Sequence, residues 1–208
     1  MYNWLYEWTN QNPMWSRQQK AQNVDIIAGY FLNKGWTLES ICAMLGNMEV
    51  EGLFNPAQWQ IGHTIEDPNP YNDTGFGLVQ WTPWQKYADW CEANGYDWRN
   101  NYDYELDRIQ YEMENGLQWE SDRPGIHYDE SFYDFTRSTA SLDYLTPMFF
   151  WCYEYGTPML DTRIANAYYW WNYLTDNPPP PPGPGPTPGK KNKMNIMFYL
   201  KSREKRGY

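Results

Sequence analysis

Apolar residues return every three to four positions in one stretch of this chain after another, and most of these stretches stop at Gly or Pro. That period belongs to helices packed by one face, and alternating strand patterns are few. Val24, Ile27, Ala28 and Phe31 form such a stripe in the stretch that begins at Ser16 and stops at Gly35. Leu38, Ile41, Leu45 and Met48 form the next, after a capping-type Thr37. A third begins at Thr82 and Pro83 and carries Tyr87, Trp90 and Cys91. Leu106, Ile109 and Met113 define a fourth that ends at Gly116. Two further helical stretches, from Thr139 and from Asp161, close the body of the chain. Between them, residues 57 to 80 are rich in Pro, Asn, Asp and Gly, which predicts a long irregular segment with a short hairpin. Such a segment is a favoured place for a site.

The sequence "PPPPPGPGPTPG" at residues 178 to 189 predicts an extended spacer. It divides a single domain, residues 1 to 177, from a short tail, residues 190 to 208. The tail holds seven basic residues against one acid, while the rest holds nine basic and 25 acidic ones. An acidic body repels phosphate backbones, so no specific nucleic-acid partner is expected. The basic tail is available to an anionic partner or is simply solvated.

Three cysteines at wide spacings form neither a disulfide framework nor a zinc pattern, and they read as buried thiols. No metal or other cofactor is expected, since His63 and His127 stand far apart without ligating neighbours. There is no GxSxG for nucleophilic serine chemistry. The N-terminus lacks the basic-then-apolar pattern of a signal peptide, and no apolar run approaches the roughly 20 residues of a membrane span. The expectation is a chain that folds in a cytoplasm; if it works outside the cell, something else carries it there.

The stretch "GNMEVEGLFNP", Gly46 to Pro56, sets Glu49 and Glu51 near the end of a helix. The negative end of the helix dipole and partial burial both favour a protonated carboxyl, as a general acid requires. At 100° per residue Glu49 aligns with Leu38 and Cys42, inside the apolar stripe, and Glu51 aligns with Met44 at its edge. The edge suits an acid that looks into a cleft. On periodicity alone, two solvated helix-end acids remain the simpler reading. Next comes "YNDTGFGLVQWTP", Tyr71 to Pro83, where Gly75 and Gly77 permit a close backbone approach and Gln80 offers an amide to a sugar. A glycine-bearing hairpin without a ligand fits the same residues.

Together these segments resemble the goose-type lysozyme and lytic transglycosylase superfamily. "EGLFNP" is similar to its ESxxNP motif, with Gly52 where Ser is usual, and "GFGLVQ" to its GLMQ motif. Adding "FYDFTRSTASLDYLTPMFFWCYEYGTPMLDTRIANAYYW", the set resembles the phage tail lysozyme family over residues 15 to 175. The resemblance implies a mostly α, lysozyme-like fold, with a long loop or short hairpin forming one wall of a cleft. It implies a muramidase acting on peptidoglycan glycan strands, with anhydro-forming cleavage as the variant chemistry. It places the acid at Glu51, makes Gly77, Leu78 and Gln80 line the cleft, and leaves Glu154 structural or cleft-bordering rather than catalytic. Gly52 removes a hydroxyl beside the acid. Asp73 is the first candidate for a second carboxylate, ahead of Glu66 and Asp67, and a turn cap is its alternative role. Trp59, Trp81 and Trp84 lie close to the motifs, to stack on sugar faces or to fill the core. The family implies a place in the virion tail, with other tail proteins as partners of the C-terminal tail. A non-catalytic wall-binding or structural tail protein on the same fold is the competing function.

Overall fold

A computed structural model of the chain describes residues 1–66 and 73–175. The Pro-rich spacer, the basic tail and Asp67 lie outside the described residues. The fold is mostly α. Helix α1 spans Arg17–Asn33, α2 Leu38–Glu51, α3 Gln85–Ala93 and α4 Asp103–Asn115. A two-stranded antiparallel hairpin follows, β1 at Asp122–Arg123 and β2 at Ile126–His127, then α5 at Phe132–Arg137. Helix α6, Leu142–Phe149, runs into one π-helical turn, Phe150–Glu154, and α7 spans Leu160–Thr175.

Local chemistry explains the boundaries. Ser16 and Gln19 exchange side-chain and backbone hydrogen bonds at the start of α1, which is a capping box. Thr37 Oγ1 accepts the Ser40 amide at the start of α2. Gly116 ends α4 in the left-handed conformation, and Leu117 N–H returns to Glu112 O. Helix α3 begins at Gln85, later than Thr82 implies, because the Thr82 hydroxyl donates to Gln80 O instead of capping.

Two compact units are present; two of their boundaries fall within α1 and α2, and the third follows α4. Of the described residues, the first comprises those within Met1–Ile27 and Met48–Leu117, and the second those within Ala28–Asn47 and from Gln118 to Thr175. Aromatic rings fill the interior of each. In the first, Trp59, Phe76, Trp81, Tyr87 and Trp98 are buried and in ring contact. In the second, Trp36, Phe132, Phe135, Phe149 and Tyr153 do the same. There the buried Arg163 guanidinium ties α7 to its surroundings, donating to Pro158 O, Thr157 O and Asn47 Oδ1. Cys42, Cys91 and Cys152 are buried free thiols, and burial pushes Cys91 and Cys152 up to about 12. No helix among the described residues is long and apolar enough to cross a membrane.

The irregular segment does contain a short ladder. Phe76 pairs with Trp59 on one side and with Trp81 on the other. Residues 77–80 are therefore the tip of a tight turn whose position depends on the strand-like stretch at Gln58–Gln60.

Candidate active site

Glu51 is the last residue of α2 and is half-buried. The helix makes one more turn of hydrogen bonding, Gly52 N–H to Met48 O at 3.0 Å. Then the backbone reverses hand: Leu53 has φ 55° and Phe54 φ 60°. Left-handed residues with side chains cost roughly 1–2 kcal/mol each. Two asparagines hold this exit. Asn23 donates to Phe54 O at 2.7 Å while bonding both polar groups of the Leu5 backbone. Asn55 accepts from Glu7 N–H and Ala57 N–H, and donates to Glu7 O and Gln58 Oε1. All four hydrogen-bonding positions of the Asn55 amide are filled, so the residue brackets the N-terminal segment against the loop.

Glu49 has a different setting. It is 7% exposed and lies 3.2 Å from Lys20 Nζ and 3.4 Å from Arg17 Nε. The two acids of the motif therefore do different work: one is bound to the cations of α1, and the other closes the helix.

The Gly-rich turn sits directly on the residue after Glu51. A Cβ built on Gly52 would lie 2.5 Å from Gly77 O, 3.0 Å from Leu78 O and 3.1 Å from Leu78 Cα. Backbone cannot yield as a flexible side chain does, so the hydroxymethyl group of Ser has no room there. Gly77 has φ 84°, and its N–H donates to Gln58 O at 2.8 Å. Leu78 N–H donates to Glu105 Oε2 at 2.7 Å. Gln80, with φ 48°, turns its amide inward: Nε2 donates to Gln58 O and Gly77 O, leaving Oε1 as its acceptor. Sequence reasoning missed Glu105. Burial pushes its carboxyl well above the usual range, against the opposing effect of the Leu78 N–H. The available signal was its position four residues before Ile109, on the apolar face of α4.

Trp59 and Trp81 lie in the interior. Trp81 stacks on Tyr87 with centroids 4.9 Å apart, and its indole N–H donates to Glu112 Oε1. Trp59 packs edge-on to Trp8 and Trp84. The half-buried Trp84 keeps part of its surface accessible. Asp73 is exposed beside the buried Thr74, Glu66 pairs with Arg99 at 3.2 Å, and Glu154 is half-buried at the end of the π turn. His127 is exposed on the hairpin, between Asp122 and Asp129.

A mostly α fold that carries a half-buried acid at a helix end, an Asn–Pro bracket behind it and a Gly-rich turn against the next residue is lysozyme-like. The chain matches the phage tail lysozyme family over residues 7–174, and it belongs to that family. It is also similar to morphogenesis protein 1 of Bacillus phage B103, with 38% identity over 167 residues. The match covers 80% of this chain and 43% of that relative, so the chain spans less than half of the relative's length.

Proposed function

We propose that the chain is a muramidase, a glycoside hydrolase that cleaves the β-1,4 bond between N-acetylmuramic acid and N-acetylglucosamine in peptidoglycan. The observation that carries this reading is the seating of the Gly77–Leu78 turn on Gly52, next to Glu51, in a chain of the phage tail lysozyme family. Glu51 donates its proton to the glycosidic oxygen as the C1–O bond breaks, and water adds to C1. Glu49 is the poorer donor, being engaged with Lys20 and Arg17. The Oε1 atom of Gln80 holds the sugar, and Gly77, whose N–H and carbonyl are taken up within the protein, shapes the turn that presents it. Asp73, on the exposed approach to that turn, is the candidate base for the water. Release of an anhydro sugar is the variant outcome if water is kept away.

The family and the phage relative support a virion-associated protein that opens the host wall, placed in the tail. Residues 178–189 then serve as a linker, and the basic residues 190–208 as a contact to other tail proteins. A zymogram on purified walls, with mass spectrometry of the released fragments, tests the activity. Cleared walls and muropeptides ending in a reducing N-acetylmuramic acid are expected. A protein that sediments with walls and releases nothing is a wall binder, and the muramidase reading fails.

A further inference from the structure

Glu105 stands in the first turn of α4 and is fully buried. Its Oε1 meets no hydrogen-bonding group among the described residues. Its Oε2 accepts the Leu78 amide at 2.7 Å. The turn passes over the same carboxyl so closely that a Cβ on Gly77 would lie 2.7 Å from Oε2 and 3.0 Å from the carboxyl carbon. The carbonyl of Gly77 in turn meets Gly52. One turn is thus held between a buried carboxyl and the residue that follows Glu51.

An apolar side chain would fill this volume without the cost of burying an acid, which amounts to several kcal/mol when the group is left unpaired. What an apolar residue cannot supply is the acceptor for Leu78 N–H. Without that acceptor a buried amide loses its partner, and the turn loses its fixed height above α4. Reaction rates respond steeply to displacements of about 1 Å between a bound substrate and its acid.

We propose that Glu105 is a positioning residue of the site: it fixes the Gly77–Leu78 turn through the Leu78 amide and thereby sets the distance from that turn to Glu51. The inference rests on the muramidase reading for its effect on rate, and on geometry alone for its effect on the turn.

The test uses the full chain with Glu105→Gln, which keeps an acceptor, and Glu105→Met, which keeps shape without one. Thermal melts first establish that each variant folds. Glu105→Gln is expected to hold kcat on purified peptidoglycan within about threefold. Glu105→Met is expected to lose about tenfold or more in kcat with KM changed less than threefold. Its Leu78 amide should exchange with solvent at least about tenfold faster, while amides in the rest of α4 are unchanged. If Glu105→Met does not fold, Glu105→Asp, which withdraws the carboxyl by one methylene, is held to the same outcomes. Full activity with a protected Leu78 amide in the folded Met variant overturns the proposal. So does a Gln variant as damaged as the Met variant. An inactive wild-type chain overturns the muramidase reading instead, and Leu78 exchange then decides whether Glu105 fixes the turn.

Discussion

Gly52 and Gly77 meet backbone to backbone: a single carbon added to Gly52 would lie 2.5 Å from the carbonyl oxygen of Gly77. The glycine that departs from the superfamily's usual serine is therefore a packing requirement of this chain. Gly52→Ser is expected to force the turn outward, lowering stability by about 1–3 kcal/mol. Wall-lytic rate should fall by about tenfold or more. Urea melts and a turbidity assay on walls check both. A serine variant as stable and active as the parent would show that the contact is slack.

Glu51→Gln removes the proposed proton donor and keeps the size of the side chain. Lytic rate should drop at least about 100-fold with the melting temperature within a few degrees of the parent. Glu49→Gln, by contrast, should keep the chemistry and lose stability, because Lys20 and Arg17 would face an uncharged amide. Rate and melting temperature measured on both variants separate the two acids.

Stability should depend on pH through Glu105. Its carboxyl is raised in the folded state, so the folded chain binds that proton more tightly than the unfolded chain does. This contribution is fully present below the unfolded value, about pH 4.3, and is lost as pH rises through the folded value. The slope is at most about 1.4 kcal/mol per pH unit. Denaturant melts from pH 4 to 8 should show the difference between parent and Glu105→Gln shrinking or reversing as pH rises. A difference that stays constant with pH would remove Glu105 as its source.

Asn55→Ala should cost about 2 kcal/mol or more, since it strips partners from Glu7 N–H, Glu7 O and Ala57 N–H. The loss should appear in chemical denaturation, with faster amide exchange at Glu7. Slow exchange at Glu7 in the variant would mean that the bracket is held from elsewhere.

Trp81→Phe should lower stability by about 1–3 kcal/mol through the lost bond to Glu112. It should leave KM for glycan strands unchanged. A raised KM at unchanged stability would return Trp81 to the sugar-contacting role that its place in the sequence implies.

The long helices were legible because α1, α2, α4 and α7 carry apolar stripes over several turns, three of them closed by recognisable stops. Helix α5, only Phe132–Arg137, is too short to display a period, although Ser131 and Asp134 form a capping box around its start. Strands of two residues, Asp122–Arg123 and Ile126–His127, leave no alternation to detect. At the site, the preference for Glu51 was visible as an edge position on α2. The sequence presents Gln80 as an amide open to a sugar, yet its backbone turns left-handed and points the donor at Gln58 and Gly77. Local sequence does not encode that geometry, because the partners come from across the turn. Glu105 shares the first turn of α4 with Asp103, and in the sequence only its apolar neighbours one turn on mark it as buried.

The two left-handed residues after Glu51 also bear on whether the site can be moved. Leu53 and Phe54 keep their conformation because Asn23, from α1, holds the Phe54 carbonyl and Asn55 grips Glu7. A peptide copied from Leu38 to Pro56, or the motif grafted onto another helix, would carry the acid without these anchors and relax to a right-handed exit. The motif is therefore not a transplantable cassette. It acquires its shape from segments that precede it by dozens of residues, and engineering that trims the N-terminus would change the site without touching it.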